Sequence, residues 1–215
     1  MLDYVWYASY GSNLHADRLS FYIEGGTPPG TDHLYPGMRD RTPPLKTQAL
    51  NLPGSVYFAW ESPVWTGGVA FYAPDPPPGW PTGAAARGYL LTAAQFSDLQ
   101  TQEMYREPGP ELDLTEVLRT GRSQLGPGRY ETLVHADDLD GWPVLTFTSP
   151  WDPYTVALNK PSARYLRMVA SGLHESHEWS PIQILSYLSD LPGIEGNWGG
   201  DELRLLLSET LETGQ

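Results

Sequence analysis

The amino-acid sequence predicts an α+β domain, and three observations carry that expectation. Short runs of aromatic and β-branched residues recur as strands, several of them placed to pair as antiparallel neighbours. Between and after them come apolar stripes of helical period with capping residues in front, at Thr92, Ser180 and Asp201. No internal repeat is present, as in a single domain of mixed elements.

Composition sets the outer bounds. The chain has 215 residues, the size of one large domain, and a core of that size needs no staples. It contains no cysteine, which excludes disulfides, thiolate metal sites and cysteine nucleophiles. A net charge of −13 argues against a nucleic-acid or anionic-membrane partner. Gly 22 and Pro 21 together make a fifth of the chain, which points to long, turn-rich connections. Neither a signal peptide nor an apolar run long enough for a bilayer is visible, so a cytoplasmic location is the expectation. The oligomeric state is not readable.

In chain order, Tyr4–Ser9 reads as the first strand and runs into Tyr10-Gly11-Ser12-Asn13-Leu14. Gly reaches φ > 0 freely, and Ser and Asn bond to nearby backbone. Successive N–H groups in such a turn can converge into an anion-binding nest, suited to a carboxylate or an oxyanion. The plainer alternative is a turn that ends a strand. Residues 15–21 read as a short helix. A structureless excursion, 24–53, follows, too long for a plain connection. Within it, Arg39 and Arg41 flank Asp40. They suit bidentate capture of a carboxylate at the rim of a pocket, or else form a solvated charge cluster.

Residues 55–60 and 68–72 read as antiparallel strands, the proline-rich 75–83 as a loop, and 87–91 as a further strand. Thr92 and Gln95 form a capping box for the next helix. Its apolar stripe runs Ala93, Phe96, Leu99 and arrives at Glu103. A carboxylate on a core-facing stripe is costly unless paired or put to use, and burial raises its pKa. A frayed helix end that lets Glu103 swing to water is the alternative. Residues 112–119 form another expected helix, and 129–135 with 142–148 a hairpin across 137–141. A helix opening at Lys160-Pro161-Ser162-Ala163-Arg164-Tyr165 is expected to end at Gly172. Ser180-Pro181 caps a helix with Ile182, Leu185 and Leu188 on one face, and Asp201 caps a last acidic helix through Leu211.

Trp6-Tyr7-Ala8-Ser9-Tyr10-Gly11-Ser12-Asn13-Leu14 resembles the Tyr-Gly-Ser-Asn-Leu signature of the γ-glutamylcyclotransferase-like superfamily, placed at the end of the first strand. Gly88–Leu91 followed by Ala94–Glu103 is similar to that family's strand-then-helix segment, in which a Glu is the catalytic acid–base. Glu103 matches it. Gln100 stands where the family often has Asp, and Met104 where Gly frequently follows the Glu. Pro161-Ser162-Ala163-Arg164-Tyr165 resembles the family's Pro-Ser-x-x-Tyr helix, whose Tyr lies near the pocket, although a Tyr on an apolar stripe is more often core.

The resemblance covers residues 4–190. It implies a mixed, largely antiparallel β-barrel with flanking helices over residues 1–191, leaving 192–215 as an acidic helical tail packed on the same domain. It also implies intramolecular aminolysis. The α-amine of a γ-glutamyl compound attacks its own γ-carbonyl, leaving 5-oxoproline and an amine or amino acid. Glu103 then moves the proton, Tyr10–Leu14 hold the glutamyl group and oxyanion, and Arg39, Arg41 and Tyr165 complete the binding set. No cofactor or metal is expected. His174-Glu175-Ser176-His177-Glu178 lacks metal-ligand spacing, and Ser12 has no evident base beside it. Two rivals stay open: a small-molecule-binding module without turnover, and an amide hydrolase or deacylase in which Glu103 activates water. Long bacterial sequences with this signature and a similar Arg-Asp-Arg-Thr-Pro-Pro excursion carry names such as histone deacetylase, which no ligand set here supports.

Overall fold

The structure, a computed structural model, describes residues 2–212. Its centre is a six-stranded sheet in the order β2-β5-β1-β8-β7-β6. β1 (Tyr4–Ser9) pairs antiparallel with β5 (Ala84–Thr92) and parallel with β8 (Trp142–Thr148). All other pairings in the sheet are antiparallel. Strand β1 is central and covered on both faces. Trp6, Ala8 and Tyr10 point into one core and Val5 and Tyr7 into the other, which is why the segment reads as an unbroken apolar run.

The first core also takes the hairpin of β3 (Ser55–Ala59) and β4 (Val69–Ala73) and three helices, α4 (Ala163–His177), α5 (Pro181–Ser189) and α6 (Gly200–Glu212). The second core lies under α1 (Ala16–Glu24) and α2 (Ala93–Glu103). Helix α6 buries Leu203, Leu206 and Leu207 in the first core, where they join Ile184 and Leu188 of α5. No helix among the described residues is long and apolar enough to cross a membrane.

The α+β expectation holds, and the barrel is open. β4 meets β8 through a side chain rather than a backbone ladder. The Tyr72 N–H donates to Thr148 Oγ1 at 3.0 Å, and the same hydroxyl donates to the Tyr72 carbonyl at 2.8 Å.

Several elements differ from the sequence reading. The 24–53 excursion is not structureless: it contains β2 (Thr47–Leu52), an exposed edge strand on β5. A short β6 (Arg122–Gln124) lines up on β7 (Thr132–Leu139), and the β7–β8 turn tightens to Asp140-Gly141. Helix α3 begins at Thr115, three residues later than expected. In α5 the buried pair is Ile184 and Leu188, while Ile182 is 78% exposed. Helix α4 runs through Gly172 to His177. Gly172 is there for space: a Cβ would lie 2.5 Å from the His15 N and Leu14 Cβ. That close approach seats α4 against the turn that follows β1.

Candidate functional site

The turn after β1 is a single 3-10 turn, Ser12–Leu14, closed by the Leu14 N–H to the Gly11 carbonyl at 3.0 Å. Gly11 sits at φ −119°, so a positive φ is not the reason for glycine here. The reason is room: a Cβ on Gly11 would lie 2.9 Å from the Tyr165 hydroxyl. The turn is gripped from two sides. On β5, Tyr89 donates to the Asn13 carbonyl at 2.7 Å and Arg87 to the Leu14 carbonyl at 3.2 Å. On α4, Leu14 packs against Gly172, and Tyr165 closes over Gly11. What remains open is the edge made by Gly11, Ser12 and Asn13. The first N–H groups of the 3-10 turn have no acceptor inside it, and that of Ser12 is given to the Tyr165 hydroxyl.

Helix α2 brings the carboxylate to that edge. Its capping box is present, with Thr92 Oγ1 accepting from the Gln95 N–H at 3.1 Å and Gln95 Oε1 accepting from the Thr92 N–H at 3.0 Å. One stripe buries Phe96 and Leu99 in the second core and ends at Glu103. Asn13 Nδ2 donates to Glu103 Oε1 at 3.1 Å, across 90 residues of sequence. Both residues line a cavity of about 50 Å³ together with Tyr10, Gly11, Ser12 and Tyr165. That volume holds on the order of four waters, the scale of a small head group. A larger groove, about 850 Å³, lies between α4, α5 and α6, and neither Glu103 nor the Gly11–Asn13 edge borders it.

Burial pushes the Glu103 carboxyl above its ordinary value. The Tyr22 hydroxyl, Arg18, Arg129 and Asn13 pull the other way without overcoming it. The tyrosines around it are fixed structurally. Tyr10 donates to the Phe147 carbonyl at 2.7 Å, and the Tyr165 hydroxyl accepts from the Ala70 N–H at 3.1 Å. Burial holds the Tyr7 and Tyr165 hydroxyls far above their usual range, so they stay protonated.

The structure does not bring Arg39 and Arg41 to this cavity. Arg39 lies on the outer side of α2, paired with buried Asp98 at 2.8 Å, and Arg41 donates to the Pro36 carbonyl on the surface. A second stripe on α2, Gln95, Asp98 and Gln102, is buried and polar. It ties down residues 37–42, with Gln95 donating to the Thr42 carbonyl at 2.8 Å and Gln102 accepting from the Gly37 N–H at 3.3 Å. The excursion therefore braces the helix that carries Glu103. Leu14 also faces the core rather than the cavity.

Two other arginines stand in the cavity wall, Arg18 and Arg129. Arg18 was readable: Leu14, Arg18 and Tyr22 fall at i, i+4 and i+8 and put a cation on the apolar stripe of α1, as Glu103 stands on that of α2. Arg129 follows Gly126-Pro127-Gly128 and has no period to betray it. It stacks 4.4 Å from the Tyr105 ring and 4.9 Å from that of Trp60, and donates to the Glu103 carbonyl at 2.5 Å. Among the described residues no group of three or more His, Asp or Glu side chains could hold a metal ion.

No family model matches the chain. It is 39% identical over 101 residues to a protein named histone deacetylase 5 from Arabidopsis thaliana; the match takes in 46% of this chain but spans only 15% of that protein's length. Among solved structures, a γ-glutamyl cyclotransferase superposes with a TM-score of 0.50 at 12% identity, over 96% of this chain and 99% of that one. An uncharacterised human protein does so with the same TM-score at 13% identity and the same coverage. Identity at that level speaks to fold. Together with the open six-stranded sheet, these likenesses show that the chain has the fold of that γ-glutamyl cyclotransferase.

Proposed function

We propose that the chain is a γ-glutamylcyclotransferase-like enzyme that performs intramolecular aminolysis of a γ-glutamyl compound. The observation that carries this reading is the Glu103 carboxylate hydrogen-bonded to Asn13 at the open edge of the Gly11–Asn13 turn, inside one cavity. The substrate's α-ammonium gives a proton to Glu103, and the freed amine attacks the γ-carbonyl carbon. A C–N bond forms, and the carbonyl oxygen takes the negative charge beside the Asn13 N–H at the edge of the turn. The γ-C–N amide bond then breaks as Glu103 returns the proton to the leaving nitrogen, and the extra proton left on the ring nitrogen passes through Glu103 to the released amine, giving the neutral lactam and a protonated amine. The products are 5-oxoproline and a free amine or amino acid. No protein nucleophile is needed, because the attacking nitrogen is already tethered to its target. A carboxyl whose pKa is raised by burial serves both halves of this cycle, since it accepts and returns a proton nearer neutrality.

The test is 5-oxoproline release from a panel of γ-glutamyl amino acids and γ-glutamylamines. Release from none of them would leave a binding module of the same fold. The partial similarity to a protein named histone deacetylase 5 supports keeping a second reading, amide hydrolysis with Glu103 activating water. Free acid in place of the lactam would select it.

A further inference from the structure

The Trp65 ring has two guanidiniums beside it. Arg164 lies 5.0 Å from its centroid and Arg18 6.0 Å. Among the described residues neither forms an ion pair, whereas Arg39, Arg87, Arg106, Arg167 and Arg204 each do. The ring attracts each cation without neutralising it, and the two like charges repel. Arg18 is also buried, 4% exposed, and its Nη1 has no hydrogen-bond partner. Its Nη2 donates to the Tyr35 hydroxyl, on the side of the cavity that holds Glu103. A buried guanidinium with an idle donor is costly.

Trp65 and both arginines border a second space, a groove of about 380 Å³ between α1, α4 and the turn at Pro28–Thr31. Neither Glu103 nor the Gly11–Asn13 edge borders it. Its other walls are largely apolar, with Phe21 from α1, Pro28 from the turn and Met168 from α4. The turn also seats Arg164. The Thr31 N–H donates to the Pro28 carbonyl at 3.2 Å, and Gly30 comes so close that a Cβ on it would lie 3.5 Å from Arg164 Cζ. Arg164 is therefore placed by the indole and the turn, not by an acid. Asp17, the one carboxylate among the lining residues, pairs with neither arginine. The groove thus offers two cationic forks without an anion, on apolar walls and at the volume of a small-molecule site.

We propose that this groove binds a small organic carboxylate with an apolar body. The carboxylate bridges Arg18 and Arg164, since its two oxygens accept from two guanidiniums and offset their repulsion. The hydrocarbon lies against Phe21, Pro28 and Met168 and removes their surface from water. A bare inorganic anion satisfies the charges and leaves those walls wet. The site is separate from the proposed cyclisation and is read by binding, without turnover.

The experiment titrates three probes into the 215-residue chain by calorimetry. They are 3-phenylpropionate, 3-phenylpropan-1-ol, which lacks the charge, and acetate, which lacks the body. 3-Phenylpropionate is expected to bind at least about tenfold more tightly than either, the scale of one charge-assisted hydrogen bond. In Arg164→Gln the advantage over the alcohol should largely vanish while the alcohol binds as before, and Arg18→Met should do the same. Should Arg18→Met not fold, Arg164→Gln, at an exposed position, decides alone. Methyl-¹³C methionine spectra locate the site. The Met168 resonance, assigned with Met168→Leu, should shift with 3-phenylpropionate, and those of Met38 and Met104 should not.

No binding of 3-phenylpropionate at millimolar concentration would overturn the proposal. So would an alcohol or acetate that binds as tightly, an advantage that survives in Arg164→Gln, or a shift at Met38 or Met104 in place of Met168. 5-Oxoproline release enters none of these measurements, so the groove and the cyclisation stand or fall separately.

Discussion

Replacing Glu103 with Gln separates chemistry from architecture at the candidate site. The amide keeps an oxygen for the Asn13 Nδ2 donor, now 3.1 Å from Oε1, and fills the same volume. It cannot exchange a proton at neutral pH. The expected loss in kcat is about 10²–10⁴-fold, the range of a positioned general acid–base. Stability should move the other way. The folded carboxyl sits above its ordinary value near 4.5 because burial outweighs the attraction of Arg18 and Arg129, so the fold prefers the protonated form. Below the ordinary value both folded and unfolded states are protonated and the site costs nothing. As the pH rises through the folded value, the charge must be held in the cavity and stability is lost. Glu103→Gln removes that loss, so the variant should be more stable at pH 7 and indistinguishable at pH 4. A gain of about 0.5–2 kcal/mol is the usual yield of relaxing a functional position. At 2–4 °C per kcal/mol for a chain of this size, it is readable as a melting shift. The assay is 5-oxoproline release alongside thermal melts at both pH values. Wild-type turnover in a folded Glu103→Gln protein refutes the assignment, and a lower melting temperature at pH 7 refutes the electrostatic account.

The wild-type rate should fall on acidification through a midpoint above the ordinary Glu value, as the base is protonated; a midpoint at or below 4.5 contradicts the direction of the shift. Gly11→Ala drives a Cβ to 2.9 Å from the Tyr165 hydroxyl and should cost about 1–3 kcal/mol by overpacking, with part of that recovered in Gly11→Ala/Tyr165→Phe, so strictly additive denaturation midpoints would mean the clash lies elsewhere. Gly172→Ala crowds the backbone of His15 and should cost a similar amount, measured by urea unfolding, with no flexible side chain available to relieve it. Arg39→Ala leaves Asp98, whose side chain is 1% exposed, with the residue-39 N–H but without its guanidinium; it should lower stability by about 1–3 kcal/mol while KM stays unchanged, and a raised KM at unchanged stability would return Arg39 to substrate binding.

What the sequence made legible follows from which interactions are local. The β1 strand and the Gly-Ser-Asn turn are written in consecutive residues, and the Thr92–Gln95 box is complete within four. Glu103 was visible because helical period projects a stripe forward, and the same rule exposes Arg18. The role of Arg39 was not legible, because Asp98 lies 59 residues away and nothing in the Gly37–Thr42 stretch names its partner. β2 was hidden for a different reason. Thr47–Leu52 is an edge strand, exposed along most of its length, so it lacks the apolar alternation that marks a half-buried one. Gly172 reads as a helix stop because sequence shows the absence of a Cβ but not the neighbour that requires it; that neighbour, Leu14, is 158 positions earlier and belongs to the signature turn.

The chain carries two acidic residues for each basic one, 26 against 13, and a protein so acidic has carboxylates to spare for its cations. Outside the cavity Arg39, Arg87, Arg106, Arg167 and Arg204 are paired in that way, while among the described residues Arg41, Arg119, Arg122 and Arg164 meet no carboxylate at ion-pair distance. Arg18 and Arg129 are the departures that matter, since both border the cavity and neither meets a carboxylate at ion-pair distance among the described residues. Aromatic rings hold them instead: Tyr22, Tyr35 and Trp65 for one, Tyr105, Trp60 and Tyr130 for the other. Rings support a guanidinium without neutralising it, so the positive potential stays directed into the cavity. Set between these two, Glu103 is attracted by both and is still raised by burial. Glu103 is thus the carboxylate these arginines face, and burial leaves it readier to take up a proton than an exposed one.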